Sequence, residues 1–343
     1  MGECLIVRRG GESYELPVLS ASYPKDVTVT AAANGSATFS VSITTPGRPA
    51  EYTYQWYKNG AAVSGGTAAS LTLTGLTAAA TYSVYCKVTN KAGSVASRTA
   101  VLTVQSYLPV YTYSGSHQLI NDGNFNWRLK LLTSGKLTFS HLGSGASAVD
   151  VFLVGGGGGG GSESSYYSGG GGGGYTKTVQ RTIQQQSVYQ ITIGAGGSTA
   201  AKGGTTSALN ATADGGFGAD GNAGGAGGSG GGSGHPSSGA TGGAGGSDGN
   251  NGASAYTNGG AGQGTTTREF GEASGALYAG GGGGSGNGAG GAGGDGGGGK
   301  AANPWGIGNS GTPNTGGGSG GNWTGGNADT TGGSGIVIIR NHR

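Results

Sequence analysis

Residues 151–162 read Val151-Phe152-Leu153-Val154-Gly155-Gly156-Gly157-Gly158-Gly159-Gly160-Gly161-Ser162, four apolar residues running straight into seven glycines. The apolar half, with Val149 and Asp150 before it, has the length of one strand. The glycine half decides the fold. Glycine loses more backbone freedom on ordering than any other residue, about 1 kcal/mol beyond alanine, and brings no side chain whose burial could offset that loss. One reading of such a tract is a flexible linker. The other is rigid. An extended threefold helix has ~3 residues per turn, rises ~3.1 Å per residue and makes no internal hydrogen bonds. Its N–H and C=O groups point outward, and helices without side chains can approach closely enough to bond sideways. Each lateral bond contributes about 1 kcal/mol net, similar to the backbone cost, so only a cooperative bundle holds.

The surroundings favour the bundle. The tracts lie between runs that predict strands: Tyr175 to Ile183, Ser187 to Ile193, Thr205 to Leu209, and the closing Gly335-Ile336-Val337-Ile338-Ile339-Arg340, which reads as a buried strand. Single aromatics (Phe217, Tyr256, Phe270, Tyr278) interrupt the glycines. Collagen is excluded, because 8 prolines and no Gly-X-Y period cannot build it. Just upstream, Asn126 to Leu132, a Thr-Ser-Gly turn and Lys136 to Phe139 predict a hairpin.

Further upstream the pattern changes. From about Pro24 to Gln105, polar and apolar residues alternate in short runs such as Thr38-Phe39-Ser40-Val41-Ser42-Ile43, Ser70-Leu71-Thr72-Leu73 and Tyr82-Ser83-Val84-Tyr85-Cys86-Lys87-Val88. Period-two alternation at this spacing predicts a β-sandwich. Tyr54-Gln55-Trp56-Tyr57-Lys58-Asn59-Gly60 places a tryptophan on the third strand, before an Asn-Gly hairpin turn. With Cys86 on the sixth strand, this stretch of about 80 residues resembles the bacterial and phage immunoglobulin-like domains attached to virion proteins. The partner cysteine of that family appears here as Val41, so the core must form without a disulfide.

Composition narrows the function classes. Glycine accounts for 86 of 343 residues, charged residues are only 10% and the net charge is +3. So weak a balance predicts neither nucleic-acid binding nor a membrane anchor. No run approaches a membrane-spanning length. The run Cys4 to Val7 is shorter than the apolar core of a secretory signal, and Cys4 and Cys86 sit in different modules with no internal staple expected, which leads to the expectation of assembly in a reducing cytoplasm.

Catalytic motifs are matched only by chance. Gly294 to Lys300 fits most of a phosphate loop, but Ala301 replaces the required Ser/Thr. Gly-x-Ser-x-Gly around Ser229 and Ser319 lacks the strand-to-helix elbow. Gly290 to Asp295 starts a calcium-repeat pattern that is not repeated. His117, His141, His235 and His342 lack metal-ligand spacing. The expectation is no enzyme, no cofactor and no metal.

Several segments then form an ordered array: Val151 to Val154 before the glycines, Tyr189-Gln190-Ile191-Thr192-Ile193-Gly194-Ala195-Gly196-Gly197, Gly262 to Gly271 including Arg268-Glu269-Phe270-Gly271, Leu277-Tyr278-Ala279, and the terminal Gly-Gly-Ser-Gly-Ile-Val-Ile-Ile-Arg. This array resembles the glycine-rich domain that ends many phage and prophage tail proteins. In architecture it is also similar to the adhesins tipping the long tail fibres of some T-even phages. The resemblance implies an all-β chain, an immunoglobulin-like sandwich followed by a strand framework carrying polyglycine-II helices. The expected divisions are residues 1–20 as an attachment segment, 21–105 as the immunoglobulin-like domain, 106–115 as a linker and 116–343 as the adhesin-type domain.

It further implies a non-catalytic tail-fibre or tail-tip receptor-binding protein of a bacteriophage virion, assembled in the host cytoplasm. Its expected partners are a host cell-surface glycan or protein and, through the N-terminal segment, other virion proteins. A homotrimer is expected because fibres are commonly trimeric. The alternative is a structural virion protein such as a head fibre, decoration protein or baseplate ornament. Loops at the bundle's ends are where side chains can gather for recognition. The residues expected to bind are therefore Tyr166, Tyr167, His235, Pro236, Trp305 and Trp323. Trp56, Cys86, Trp127, Phe270 and Tyr278 are expected in cores.

Overall fold

The structure is a computed structural model and describes residues 6–9, 12–143, 147–161, 167–235, 241–246, 249–254, 260–262, 267–303, 306–323 and 330–343. The chain is all-β, with one short 3-10 turn at Glu269–Gly271. It divides into two compact units. One comprises Met1–Pro109, Gly123–Phe125 and Leu142–Gly145, the other Val110–Asp122, Asn126–His141 and Ala146–Arg343.

The first unit has a side-chain core. One sheet runs Val27–Thr30, Ala100–Gln105, Ala80–Asn90, Thr53–Lys58, Ala61–Ala62, with Gly93–Ala96 also on Ala80–Asn90. The strand pairs Val18–Leu19 with Ile43–Thr45, Ala37–Ser40 with Ser70–Leu73 and Ile6–Arg9 with Glu12–Glu15 lie beside it in the same unit. Alternation decides which residues turn inward: Leu71 and Leu73 of Ser70–Leu73 are buried between exposed neighbours. Trp56 and Cys86 are register partners on adjacent strands, both fully buried. Phe39 lies with its ring centroid 6.5 Å from that of Trp56, whose indole N–H donates to the Ala68 carbonyl at 2.9 Å. Cys86 is a free thiol, pushed up to about 11 by burial. Asn59 and Gly60, both at positive φ, make the tight turn that pairs Lys58 with Ala61.

The second unit starts within the expected linker, at strand Val110–Tyr113. That strand joins Gly135–His141 and Val188–Ile191 in a three-stranded sheet. A five-stranded sheet has the order His117–Gly123, Asn126–Leu131, Ile336–Asn341, Ala148–Val154, Thr176–Thr182. The hairpin expected from Asn126 to Phe139 does not form, because its two halves pair in different sheets. Alternation is the reason. Trp127, Leu129 and Leu131 of one strand and Leu137 and Phe139 of the other are all fully buried, and the Trp127 and Phe139 rings approach to 6.3 Å. The turn therefore folds the chain from one sheet to the other, so that both apolar faces meet. The terminal strand Ile336–Asn341 is buried along its whole length. Ala211–Ala213, not anticipated, closes a hairpin with Thr206–Ala208.

From Val154 the chain leaves the sheet as glycine threads that bond in a three-residue period. Gly155, Gly158 and Gly161 donate to the carbonyls of Tyr175, Gly172 and Gly169, while Gly156 and Gly159 donate to Gly204 and Ala201, all at 2.8–2.9 Å. The thread 168–174 distributes its bonds in the same way. Gly169 and Gly172 donate to Gly221 and Phe217, Gly170 and Gly173 to Gly232 and Ser229, and Gly171 and Gly174 to Ser319 and Gly316. Three bonding directions repeating every third residue are what a threefold extended helix offers. The thread is buried throughout. A Cβ at Gly159 would sit 1.8 Å from the Ser198 carbonyl oxygen, and one at Gly172 2.1 Å from that of Ala226. The core here is backbone.

Candidate functional site

Threads 155–161 and 168–174 join the sheet at Val154 and Thr176, and their other, far end is the one at Gly161 and Ser168. The Gly161 amide donates to the Gly169 carbonyl, the Ser285 amide to the Ser168 carbonyl and the His235 amide to the Ser285 carbonyl, all at 2.9 Å. Here the all-glycine rule is broken by buried polar residues. Ser168 and Ser285 are fully enclosed and Asn322 nearly so. The Ser168 amide donates to Ser285 Oγ at 2.7 Å. Both hydroxyls donate to the Asn322 carbonyl, Ser168 at 2.8 Å and Ser285 at 3.0 Å. Asn322 Oδ1 accepts the Gly308 amide at 2.9 Å. A buried polar layer is stable only when its members satisfy one another, and this one ties several returning threads together. Ser319 acts similarly deeper in, accepting the Gly160 amide at 2.6 Å.

Three of the residues expected to bind sit on this layer. Tyr167 precedes Ser168 directly, Trp323 follows Asn322, and His235 hangs from Ser285. The structure brings their rings together. Tyr167 meets Trp323 edge-on at 4.5 Å and 84°, and His235 at 4.7 Å and 31°. Tyr167 and His235 are half-buried. Trp323 is not the exposed contact that its place in a loop suggests: it is 4% exposed and packs edge-on against the Tyr167 ring. The Gly306 carbonyl accepts the Trp323 amide, and the next residue, Ile307, is 62% exposed. Tyr166, Pro236 and Trp305 lie outside the described residues. The serines and Asn322 escape a reading by sequence because a Ser in a Gly/Ser tract looks like linker composition. A lone Ser at the edge of a glycine run is the usable signal.

A second polar cluster lies against the sheets. Arg128 grips Asp122 through Nε and Nη2, at 2.8–3.0 Å, and Glu269 at 2.6 Å. Lys130 reaches the Tyr278 hydroxyl at 3.1 Å and Glu269 at 3.7 Å. Arg340 bonds Asp150 at 3.1 Å and Glu272 at 2.5 Å, and its guanidinium lies 4.0 Å from the centre of the Phe270 ring. His342 and Arg343 complete it on Asp150 and Asp122, each at 2.7 Å. Burial pushes the Asp122 carboxyl up, but hydrogen bonds from Arg128 and Arg343 and their charges outweigh it and hold it below its ordinary value. Burial, reinforced by Glu269, pushes the Tyr278 hydroxyl well above its usual range. Phe152, Val154, Tyr278, Ala279, Ile336 and Ile338 form the apolar cluster beneath, with Phe270 packed against it. Each cation meets an acid, so the network locks the 268–278 segment onto the sheet.

Among the described residues no group of His, Cys, Asp and Glu side chains is placed to hold a metal ion, and no helix is long and apolar enough to cross a membrane. No curated protein matches the chain significantly. A family model described as a glycine-rich domain matches residues 133–342. That span takes in the adjacent strands Ala148–Val154 and Ile336–Asn341 of the five-stranded sheet, the threads and the 268–278 lock. It covers more than half of the sequence, and the chain belongs to this glycine-rich domain family.

Proposed function

We propose that this chain is a non-catalytic receptor-binding protein of a phage tail, contacting a host cell-surface glycan or protein through the far end of its glycine bundle. The observation that carries the reading is the ring cluster of Tyr167, His235 and Trp323 on a fully bonded Ser168–Ser285–Asn322 layer. Rigid aromatics on a rigid base offer contact area at low entropic cost. Tyr166, Pro236 and Trp305 are proposed to belong to the same surface. In this reading residues 21–105 are an immunoglobulin-like spacer. Its support is the Trp56–Cys86 register and the parallel pairing of Val27–Thr30 with the last strand of that unit. The virion location, an N-terminal attachment to other virion proteins and a homotrimeric fibre are parts of the same proposal.

The burial of Trp323 favours one alternative, a structural virion protein whose ring cluster only plugs the bundle. Purified protein separates them. The receptor-binding reading expects it to label host cells and block phage adsorption. Tyr167→Ala should reduce cell binding at least about tenfold, the loss of ~1.4 kcal/mol of contact, with an unchanged thermal midpoint. Failure to bind any host cell, with antibody to the chain decorating the capsid in electron micrographs, would establish the structural alternative instead.

A further inference from the structure

Two clefts flank the 268–278 segment, and their charges differ. The first, about 190 Å³, is lined by Asp122, Glu269 and Glu272 against Arg128, Arg340 and Arg343. It is neutral and internally bonded. The second, about 350 Å³, is lined by Phe152, Phe270, Gly271, Thr176, Thr178, Arg268 and Lys177. Its lining carries the Arg268 guanidinium and no acid, while Lys177, between the two threonines, alternates to the other face of its strand. Among the described residues no carboxylate pairs with Arg268, whose Nη1 is held by the Gly275 carbonyl at 3.0 Å. The nearby acids are committed elsewhere, Glu269 to Arg128 and Glu272 to Arg340.

The rest of the cleft has a definite chemistry. Phe270, half-buried, supplies its aromatic floor and is backed by the buried Phe152, their ring centroids 5.7 Å apart. Thr178 and Thr176 are the cross-strand partners of Phe152 and Val154, so on a pleated sheet both threonines share the face of that floor. Phe270 takes a left-handed backbone conformation, φ 54° and ψ 15°, which is uncommon for a non-glycine residue. Gly271 beside it has open space where a Cβ would be. An aromatic floor, hydroxyls along one wall and an arginine with unspent donors match a ring with an apolar face, hydroxyl groups and a carboxylate. Arginine's planar fork suits a carboxylate in particular, and the volume lies at the lower end for small-ligand sites.

We infer that the cleft between Phe270, Thr178 and Arg268 binds a carboxylate-bearing sugar ring of the uronic acid type. This site is remote in sequence from the far-end ring cluster and does not depend on the receptor-binding proposal. The test uses the full chain, titrated with glucuronic acid, its uncharged methyl ester and acetate, and followed by NMR shifts of assigned amides. Glucuronate is expected to move the amides of residues 152, 176–178 and 268–271, and to bind at least tenfold more tightly than either the ester or acetate. Arg268→Gln should weaken glucuronate at least tenfold while leaving the ester unchanged. Because Arg268 also holds the Gly275 carbonyl, Thr178→Val is the second variant. Thr178 is exposed, so the fold should survive while glucuronate weakens severalfold. Equal binding of acid and ester, acetate binding as tightly as glucuronate, shifts confined to other residues, or wild-type affinity in both variants would each overturn the site.

Discussion

Trp56 and Gly172 are both buried, and they are buried for opposite reasons. Around Trp56, inward residues of two sheets fill space with side chains, and the backbone bonds are made along the strands. Around Gly172 there is no side chain to fill anything, and the space between threads is closed by peptide groups that bond in three directions. In the first unit burial of apolar area supplies the driving force. In the bundle, stability must come from satisfied amides in a dry interior and from close backbone contact. The two cores therefore tolerate opposite substitutions: the first resists loss of volume, the second resists any gain.

The largest effect expected on this contrast is Trp56→Ala, which should destabilise the first unit by about 3–5 kcal/mol through the cavity and the lost indole bond. Chemical denaturation of the chain would measure it. Gly172→Ala should cost the bundle about 3 kcal/mol, since backbone cannot move out of the new methyl's way. The sign is the informative part. At a site with room, the same change would stabilise by about 0.4–1 kcal/mol through the unfolded chain. Ser319→Ala removes the acceptor for the buried Gly160 amide and should cost about 1–3 kcal/mol, though it leaves every carbon in place.

Acid separates the two cores in another way. The Asp122 carboxyl is held below its unfolded value, ordinarily about 3.9. Its contribution is therefore complete above that value and is lost as pH falls through the folded one. Thermal melts between pH 5 and pH 2 (roughly the span over which a salt-bridged aspartate titrates) should show the second unit's midpoint falling, and Asp122→Asn should flatten that slope. The smallest effect belongs to Gly60→Ala. Gly60 sits at φ +79° with nothing near its missing Cβ, so only backbone strain is added, about 1 kcal/mol. Gly60 and Gly172 are glycines for different reasons, conformation in one case and space in the other.

Much of the fold is legible in residue order. Alternation around Trp56 and Cys86 marks the side-chain core, and Val151 to Val154 running into glycine marks the place where one kind of core gives way to the other. The buried terminal strand is visible as uninterrupted apolar residues. The fold from Asn126 to Phe139 is not, because a short turn between two alternating runs looks the same whether the strands pair with each other or face each other across a core. The lock of Arg128, Arg340, Glu269 and Glu272 is also hidden, since its members lie up to 212 residues apart, from position 128 to position 340. At the far end, Tyr167, His235 and Trp323 stand out as side chains in a tract without them. Which of them is buried depends on the hydroxyl layer beneath, and composition does not show where threads cross.

Amide hydrogen exchange, resolved to single residues over 155–161 and 168–174, tests the backbone core most directly. If lateral bonds close it, these glycine amides will exchange as slowly as those of Ala148–Val154 and Ile336–Asn341, and the slow exchange will be lost together in Gly172→Ala. Exchange at the rate of an unstructured glycine peptide, beside protected strands, would contradict a core built from peptide groups.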